Sequence, residues 1–556
     1  MEEITKTAHK YAVKNAFEHG GEAQIGAVVG KVKALFPKAD LKKVMPDISK
    51  AVLEVNKMKK DALDVEYKKF EAKGWELKHV EKEKSLPELE WLKKGEKIIT
   101  RVAPNPSGAM HFGHARPAVL TDEYVKRYGG KYILRFDDTD PKVKVPIAGI
   151  EKEFMRDFEW LKIKFDEVGN ASDRLARYYE IIEELIKKGN AYVCSCESEK
   201  WRELIWKSKE CPCRKKESKV QLVEWKKMLA HEIKEEQAVV RLKTDLKNKD
   251  PSTRDWWMAK VVDEVYHPNP KAKGMHVWPS YNLASAVDDH DMEINFIIRG
   301  QEHVSNEEKQ KALYEIFKWK YPHTEYFGKI SKIGDMTLSK SKMKEIMEAK
   351  GVETYDDPRM ATITAFRRRG FTPEAIRKVI TDCGVSMKEV KITLDNFASA
   401  NKAVLGERAE YPFFEEAVKM DVYNLASGSG ECYGEKVEFE VGVMELFVDK
   451  KELIKYSKKK DALVRFKKAF NAKIDEASEF GGKATFISYS KTDNPILSWV
   501  HEMIDVEILM SDGSVKRGFS APSLLNATGM VHFEGLGYAN IEAKKDGTIK
   551  CVYAYS

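Results

Sequence analysis

Residues 98–136 read IITRVAPNPSGAMHFGHARPAVLTDEYVKRYGGKYILRF. The apolar, β-branched run Ile98–Val102 predicts a buried strand, and a Pro- and Gly-rich loop follows it. A helix is predicted from about His111 to Tyr128, with a stop at Gly129-Gly130. A second apolar run, Tyr132–Phe136, predicts another strand. Strand, helix and strand at this spacing form a βαβ unit, which implies a parallel sheet.

The sequence around this unit divides into further parts. Residues 1–96 carry apolar side chains at spacings of three and four among lysines, which predicts a helical N-terminal extension. The domain with the βαβ unit is predicted over 97–355, and the runs Ile294–Ile298 and Lys329–Ile333 are expected to complete its sheet. Between the βαβ unit and Ile294, the stretch from about 150 to 275 is long enough to form an inserted domain.

Beyond residue 355 the pattern changes twice. Residues 356–397 return to helical patterning and are predicted to form a connecting subdomain. Residues 398–556 alternate apolar and polar side chains between Gly, Asp and Ser turns, which predicts a β-rich barrel or sandwich. The chain as a whole is therefore predicted to be a multidomain α/β protein.

The composition bounds the kind of protein. Its 556 residues are 42% hydrophobic and 33% charged, and no apolar run approaches the roughly 18 residues that a membrane span needs. The acidic start Met1-Glu2-Glu3 lacks the order of a signal peptide, so we expect a cytoplasmic protein with no membrane partner. The net charge is only +7, but Lys200–Met228 carries ten Lys and Arg against four Asp and Glu. Such a run is either a solvated helix face or an RNA contact.

Four of the seven cysteines form two C-x-C pairs inside the predicted insert: Cys194, Cys196, Cys211 and Cys213. Four thiolates at such spacing can enclose a tetrahedral Zn²⁺ ion and leave no open position for substrate, so the site would be structural. The alternative is two pairs of free thiols on exposed turns.

Two short motifs carry chemistry. In His111-Phe112-Gly113-His114, the two histidines share a helix face, the free N–H groups of a helix N-terminus attract phosphate, and glycine would let a flat base approach. The second motif, Thr337–Lys342, reads TLSKSK and predicts a Lys/Ser loop that closes on phosphates. Taken singly, each motif is also compatible with ordinary helix-start histidines or a solvated loop.

Together, in this order, the motifs resemble the HIGH and KMSKS signatures of class I aminoacyl-tRNA synthetases. The stretches 101–108 and 135–141 resemble the glutamyl/glutaminyl subfamily, as do Tyr281 and the stretches 286–290 and 298–303. The resemblance implies a Rossmann-type catalytic domain with an inserted acceptor-binding domain. The helical extension and a C-terminal β-barrel for anticodon binding fit the archaeal type of glutamyl enzyme.

The resemblance also implies a reaction: the carboxylate of L-glutamate attacks the α-phosphate of ATP, with Mg²⁺ present, and pyrophosphate leaves. His111, His114 and Lys340 would be catalytic and stabilise charge on the phosphates. Phe112 and Thr337 replace the usual Ile and Lys of the signatures, so Lys340 must carry the phosphate role. Carried over residue by residue, the ATP site is Pro106, His111, Gly113, His114, Ser339 and Lys340, and the glutamate site is Arg101, Ala103, Asn105, Asp137, Tyr281 and Arg299.

Arg299 is the main ground for predicting glutamate rather than glutamine. Arg reads a planar carboxylate through two parallel hydrogen bonds, and the glutaminyl branch does not carry Arg at this position. Asp137, as an anion, suits the substrate ammonium group; otherwise it is a structural carboxylate, and Tyr281 is otherwise a core residue. The alternative for Arg299 is a structural ion pair with Asp288 or Asp289.

The resemblance assigns partners and leaves alternatives. The acceptor stem of tRNA is expected at the insert, where some relatives hold zinc, and the anticodon at the C-terminal domain. The N-terminal extension would bind a partner protein or tRNA, or add stability. Charging of tRNA for glutamine with glutamate stays open. The competing classes are a glutaminyl enzyme, a truncated enzyme that modifies a tRNA base, a non-catalytic RNA-binding protein and a small nucleotidyltransferase.

Overall fold

A computed structural model describes residues 2–18, 21–36, 41–71, 86–334, 336–350, 354–459 and 461–556. The chain divides into compact units at residues 1–84 and 85–556. In the first unit, Ile48, Val52 and Val55 lie on one face of a helix and are buried, as their spacing predicts. Its helices are α1 (Glu2–Glu18), α2 (Ile25–Leu35), α3 (Leu41–Asn56) and α4 (Lys60–Glu71).

The second unit begins with residues that the sequence assigned to the extension, since Leu86 and Leu89 pack in its core. Its elements up to the second signature are β1 (Ile98–Val102), α5 (Phe112–Tyr128), β2 (Gly130–Phe136), α6 (Ile150–Trp160), β3 (Glu167–Asn170), α7 (Leu175–Lys187), β4 (Ala191–Cys194), α8 (Ser198–Trp206), α9 (Ser218–Leu229), β5 (Val239–Leu242), β6 (Trp257–Val261), β7 (Val277–Pro279), α10 (Tyr281–Asp291), β8 (Phe296–Gly300), α11 (Val304–Phe317), β9 (His323–Phe327), β10 (Ile330–Ile333) and α12 (Lys340–Lys350).

The remaining elements belong to a helical connection and to β-rich sheets. They are α13 (Ile363–Arg368), α14 (Pro373–Cys383), β11 (Val390–Ile392), α15 (Leu394–Leu405), β12 (Glu410–Tyr411), β13 (Ala417–Leu425), β14 (Gly428–Cys432), β15 (Glu435–Phe439), β16 (Gly442–Asp449), α16 (Lys450–Ile454), β17 (Ala462–Phe466), β18 (Asn471–Ser478), β19 (Gly481–Ser488), β20 (Ile496–Leu497), β21 (Trp499–Val500), β22 (Ile504–Leu509), β23 (Val515–Ser520), β24 (Met530–Phe533), β25 (Gly537–Lys545) and β26 (Thr548–Tyr555).

The predicted parallel sheet is confirmed, with strand order β3-β2-β1-β8-β9. The central strands β1, β2 and β8 are largely buried apolar runs, as is typical of a parallel sheet that is covered on both faces. All strands point the same way, so the residues at their carboxyl ends meet at one edge, where such sheets bind ligands. β3 belongs to this sheet although it falls inside the stretch 150–275 that was predicted as an insert.

The prediction that Lys329–Ile333 joins this sheet is wrong. β9 occupies the edge next to β8, and β10 pairs instead with β11. Gly328 turns the chain away: its N–H donates to the carbonyl of Ser386 at 2.6 Å. An added Cβ there would meet the carbonyl oxygen of Lys388 at 2.1 Å. This contact holds the start of β10 against the segment between α14 and β11.

The insert forms its own antiparallel sheet, β4-β5-β6-β7, packed with α7 and α9 around Trp225 and Trp278. The C-terminal region has the mixed sheets β12-β24-β25-β26-β22-β23 and β20-β17-β18-β19-β13-β16-β21, which bear out the β-barrel prediction. Ala554 and Tyr555 of β26 pack in the same core as β1 and α5. Within the described ranges, no helix is both long and apolar enough to span a membrane.

Candidate active site

A cavity of about 1200 Å³ lies at the carboxyl edge of the parallel sheet and continues to the insert. Leu338 brings the second signature to its wall. In the part of the chain that the structure describes, Pro106 and Ser339 lie outside the lining, and the side chain of Lys340 lies outside the described residues. The lining includes the predicted residues Arg101, Ala103, Asn105, His111, Gly113, His114, Asp137, Tyr281 and Arg299.

The histidines of the first signature lie together at the start of α5. Their ring centroids are 3.8 Å apart and the rings are stacked. Nδ1 of His111 accepts from the N–H of Gly113 at 3.0 Å, and Nδ1 of His114 accepts from the N–H of His111 at 3.4 Å. With Nδ1 as acceptor, each neutral ring carries its proton on Nε2. The two imidazoles therefore cap the start of the helix.

This capping bears on the expectation that free backbone N–H groups at the start of α5 bind phosphate. The N–H of Gly113 is taken by His111, and the N–H of Phe112 donates to the carbonyl of Ala361 at 2.9 Å. These first backbone donors are therefore already bonded, and His111 and His114 themselves line the cavity. Glycine at 113 also makes room for the imidazole, since a Cβ would lie 2.8 Å from Cε1 of His111.

One short segment joins both signatures. The N–H of Thr337 donates to the carbonyl of Arg359 at 2.9 Å, and the N–H of Ala361 returns a bond to Thr337 at 3.0 Å. Ala361 also accepts from Phe112, and the N–H of Ile363 donates to the carbonyl of Met110 at 3.0 Å. No pattern in the sequence indicates this segment, because backbone pairing between distant loops leaves no side-chain pattern.

Asp137 follows β2 directly and is fixed on both sides. Its Oδ1 accepts from Nε of Arg135 at 2.9 Å, and its carbonyl accepts from Nδ2 of Asn105 at 2.8 Å. Burial raises the pKa of the Asp137 carboxyl, and the Arg135 guanidinium opposes that rise. Arg135, which the sequence analysis did not select, is fully buried. The alternation of side chains along β2 predicts that residue 135 is buried, but it does not predict that a buried charge lies there.

Arg101 is neutralised by a carboxylate. Its Nε and Nη2 donate to the two oxygens of Asp289 at 3.0 and 2.9 Å. Nη1 of Arg135 donates to the same carboxylate at 2.8 Å. Burial would raise the pKa of Asp289, but Arg101 and Arg135 outweigh burial and hold it at about 2. Asp289 is therefore ionised near pH 7.

Arg299 has different partners. It does not pair with Asp288 or Asp289 in the described structure, which was the structural alternative for this residue. Its Nη1 donates to Oε1 of Gln310 at 3.0 Å, and its Nη2 donates to the hydroxyls of Tyr321 and Tyr326 at 2.9 and 3.2 Å. Arg299 is 5% exposed and lines the cavity.

His303 is a cavity residue that the sequence analysis left out of the site, although its motif was singled out. Its ring centroid lies 5.3 Å from that of Tyr281. Burial, and then the charge of Arg299, lower the pKa of His303 to about 4, so the ring is neutral near pH 7. A histidine three residues past the end of β8 was the available signal.

The four cysteines of the insert come together. Their sulfurs all lie within 4.8 Å of one another, with Cys194 and Cys211 at 3.8 Å and Cys196 and Cys213 at 3.7 Å. Four sulfurs placed about 2.3 Å from a tetrahedral zinc ion are about 3.8 Å apart, so the cluster fits zinc. The Cys194 hydrogen bond lowers the pKa of Cys211 to about 5, which favours the thiolate that a metal binds.

These observations define a class I synthetase, and comparisons with known proteins agree. The family described as tRNA synthetases class I (E and Q), catalytic domain, matches residues 97–407. The chain belongs to this family, as the resemblance predicted.

Similar proteins carry a more specific name than the family does. A glutamate–tRNA ligase of Pyrococcus abyssi is 40% identical over 573 residues, and one of Thermococcus kodakarensis is 38% identical over 575, each covering 100% of both chains. A solved glutamate tRNA ligase from Elizabethkingia meningosepticum is 21% identical, with a TM-score of 0.39, over 56% of this chain and 70% of that chain.

Proposed function

We propose that this chain is a glutamate–tRNA ligase that joins L-glutamate to tRNA through a glutamyl-adenylate. The observation that carries the proposal is the single cavity that holds Arg299, Asp137 and the histidines of the first signature. Glutamate needs a cation for its side-chain carboxylate and an anion for its ammonium group, and ATP needs donors for its phosphates.

Glutamate is proposed to bind at the carboxyl ends of β1, β2 and β8. Arg299 reads the side-chain carboxylate, and Asp137 accepts the α-ammonium group. Tyr281 and the loop residues Ala103 and Asn105 line the space between them. Because Arg101 is already paired with Asp289, its role is to shape the pocket and share charge rather than to carry selectivity.

ATP is proposed to bind over the start of α5. An oxygen of the glutamate carboxylate attacks the α-phosphorus, the bond to the bridging oxygen breaks, and pyrophosphate leaves with Mg²⁺. The side chains of His111 and His114 stabilise the phosphates, and Lys340 closes over them. Gly113 and Pro106 shape the adenine side, and Ser339 supports the closing loop. A terminal ribose hydroxyl of tRNA then attacks the glutamyl carbonyl, and AMP leaves.

The acceptor end of tRNA is proposed to lie along the insert. The cavity continues past Arg202 and Lys260 to Trp206 and Trp257, whose side chains are 69% and 39% exposed. Nζ of Lys260 lies 5.5 Å from the Trp257 ring centroid. Exposed aromatic rings beside cations stack unpaired bases and attract phosphates. A zinc ion in the cysteine cluster would fix the two ends of α8, which carries Trp206.

The anticodon is proposed to bind the β-rich region after residue 398, where Phe480 at a hairpin tip is 86% exposed. The N-terminal unit is proposed to bind a protein partner, because Leu53 and Val65 are exposed on its helices. As part of translation, the protein is proposed to work in the cytoplasm.

The test is aminoacylation of purified tRNAs for glutamate and for glutamine with each amino acid. We expect ATP-dependent charging of the glutamate tRNA with glutamate, and the assay also decides whether the glutamine tRNA receives glutamate. Preferred use of glutamine would favour the glutaminyl alternative. Neither charging nor pyrophosphate exchange would favour a non-catalytic RNA-binding protein.

A further inference from the structure

The guanidinium of Arg299 is held by neutral acceptors. Its direct partners are the amide oxygen of Gln310 and the hydroxyl oxygens of Tyr321 and Tyr326. Tyr321 donates its own proton to the same Gln310 oxygen at 2.9 Å. Since a guanidinium only donates, this bonding turns each of the three side chains oxygen-first toward it. We call Gln310, Tyr321 and Tyr326 the neutral cage.

The nearest carboxylate, that of Glu307, forms a long ion pair with Arg299 but no hydrogen bond. Oε2 of Glu307 lies 3.7 Å from Nη2, beyond hydrogen-bond distance. Glu307 is drawn elsewhere: it accepts from the hydroxyl of Tyr326, and its other oxygen lies 2.6 Å from Nζ of Lys311. The negative charge of Glu307 is therefore partly neutralised by Lys311.

Arg101 gives the contrast within the same cavity. It lies at the end of β1 as Arg299 lies at the end of β8, but it forms a two-pronged ion pair with Asp289. Both arginines are 4–5% exposed. The cavity thus holds one guanidinium whose charge is balanced and one that is oriented without a matching hydrogen-bonded anion. Nε of Arg299 also has no hydrogen-bond partner among the described atoms.

We propose that the neutral cage holds Arg299 in place without cancelling its charge, and that Gln310 is a positioning residue that sets selectivity for glutamate over glutamine. The inference rests on the proposed function, in which Arg299 reads the side-chain carboxylate. An amide oxygen orients the guanidinium as well as a carboxylate would, but leaves its charge for the substrate. Glutamine, which is neutral there, cannot balance that charge.

Gln310 is suited to this role by its surroundings. It is 1% exposed on α11, so no solvent screens a charge placed there. Glu and Gln differ little in shape, so Gln310→Glu keeps the acceptor oxygen and adds one negative charge beside Nη1. Glu307→Gln makes the opposite change at the other side of the same guanidinium, at a position that is partly exposed.

The experiment measures kcat/KM for glutamate and for glutamine in aminoacylation by the full chain. Gln310→Glu should lower kcat/KM for glutamate and not for glutamine, which narrows the preference by roughly tenfold or more. Glu307→Gln should leave the preference at least as strong or widen it a few-fold. The loss in Gln310→Glu should fall mainly on KM for glutamate, because binding of the substrate charge is what changes.

Equal losses for both amino acids in Gln310→Glu, or an unchanged preference, would overturn the proposal, since a structural residue harms both substrates alike. If Gln310→Glu does not fold, as judged by thermal unfolding, Glu307→Gln decides alone: a narrowed preference would overturn the inference. Failure of the proposed function is separate, because it appears as absent glutamate charging in the unchanged protein.

Discussion

The buried arginines of the cavity show how the same side chain takes different tasks from its partners. Arg135 bridges Asp137 and Asp289, Arg101 closes on Asp289, and Arg299 is held by neutral oxygens. The sequence could select Arg101, Arg299 and Asp137 because they end strands or belong to a signature. It could not predict which carboxylate pairs with which arginine, because Asp289 lies 188 positions from Arg101.

Lys340 is expected to act in the activation of glutamate. Replacing it with Ala should slow glutamate activation by roughly 2.7–4 kcal/mol of transition-state stabilisation, with little change in tRNA binding. The reason is that a lysine on the phosphates acts mainly on charge that develops during the reaction. Single-turnover activation is the measurement. Lys344→Ala, an exposed lysine of the same helix that pairs with Glu348, is the control. Equal rates in both variants would remove Lys340 from the mechanism.

Asp289 is expected to stabilise the fold through its two arginine partners. Asp289→Asn leaves Arg101 and Arg135 without their shared anion and should lower the free energy of unfolding by about 3–5 kcal/mol. The folded pKa of about 2 lies below the ordinary value of roughly 3.9, so this stabilisation is present above about pH 4 and is lost as the pH falls toward 2. Urea unfolding at pH 5 and pH 3 measures both effects.

Asp291→Asn on the same helix is the matched control, because its carboxylate pairs with Arg174 and Arg177 nearer the surface. It should cost less and change the pH dependence less. If Asp289→Asn unfolds at the same urea concentration as Asp291→Asn, and its stability falls as steeply between pH 5 and pH 3 as that of the unchanged protein, the buried anion contributes no stability.

Among the elements, the parallel strands were predictable because a buried strand is a short apolar run bounded by turns. β9 was missed because its residues, His323–Phe327, are polar and only half-buried at the sheet edge. Residues 329–333, which were wrongly assigned to this sheet, do form a strand with Ile330 and Ile333 as its apolar side chains. The close backbone contact at Gly328 directs that strand to β11. Local pattern predicts that a strand forms; its neighbours are decided by contacts distant in sequence.

We propose that the stability of α8 depends on a metal ion in the cysteine cluster. We expect about one zinc ion per chain, since a C-x-C pair lies at each end of α8 and the four sulfurs fit one ion. Cys211→Ser should lose the metal, loosen the insert and weaken use of tRNA more than glutamate activation. Metal analysis and limited proteolysis of the insert measure this. Cys383→Ser, outside the cluster, should keep the metal; zinc-free native protein would favour the free-thiol reading.

For the whole molecule, the sequence predicted separable catalytic and β-rich regions, and the structure shows why they are less separable than that. Helix α13 follows the segment that pairs with both signatures, and Arg369 at its end is fully buried. Its guanidinium donates to the carbonyls of Tyr553 and Ala554 on the last strand. Ala554 and Tyr555 share the catalytic core. A contact with residues 184 and 185 positions further along the chain cannot be predicted from a local pattern.

Arg369→Met tests this connection. Methionine fills much of the same space but cannot bond the two carbonyls, and each carbonyl left unpaired in the core costs about 1–3 kcal/mol. We expect a lower free energy of unfolding, and a larger loss in tRNA charging than in glutamate activation, because the proposed anticodon-binding region is no longer fixed to the signatures. Lys378→Met, an exposed lysine of α14 paired with Asp382, should change neither. Unfolding curves and parallel activation and charging assays measure the outcome. If Arg369→Met lowers activation and charging by the same factor, the arginine supports the fold but does not link anticodon binding to the site.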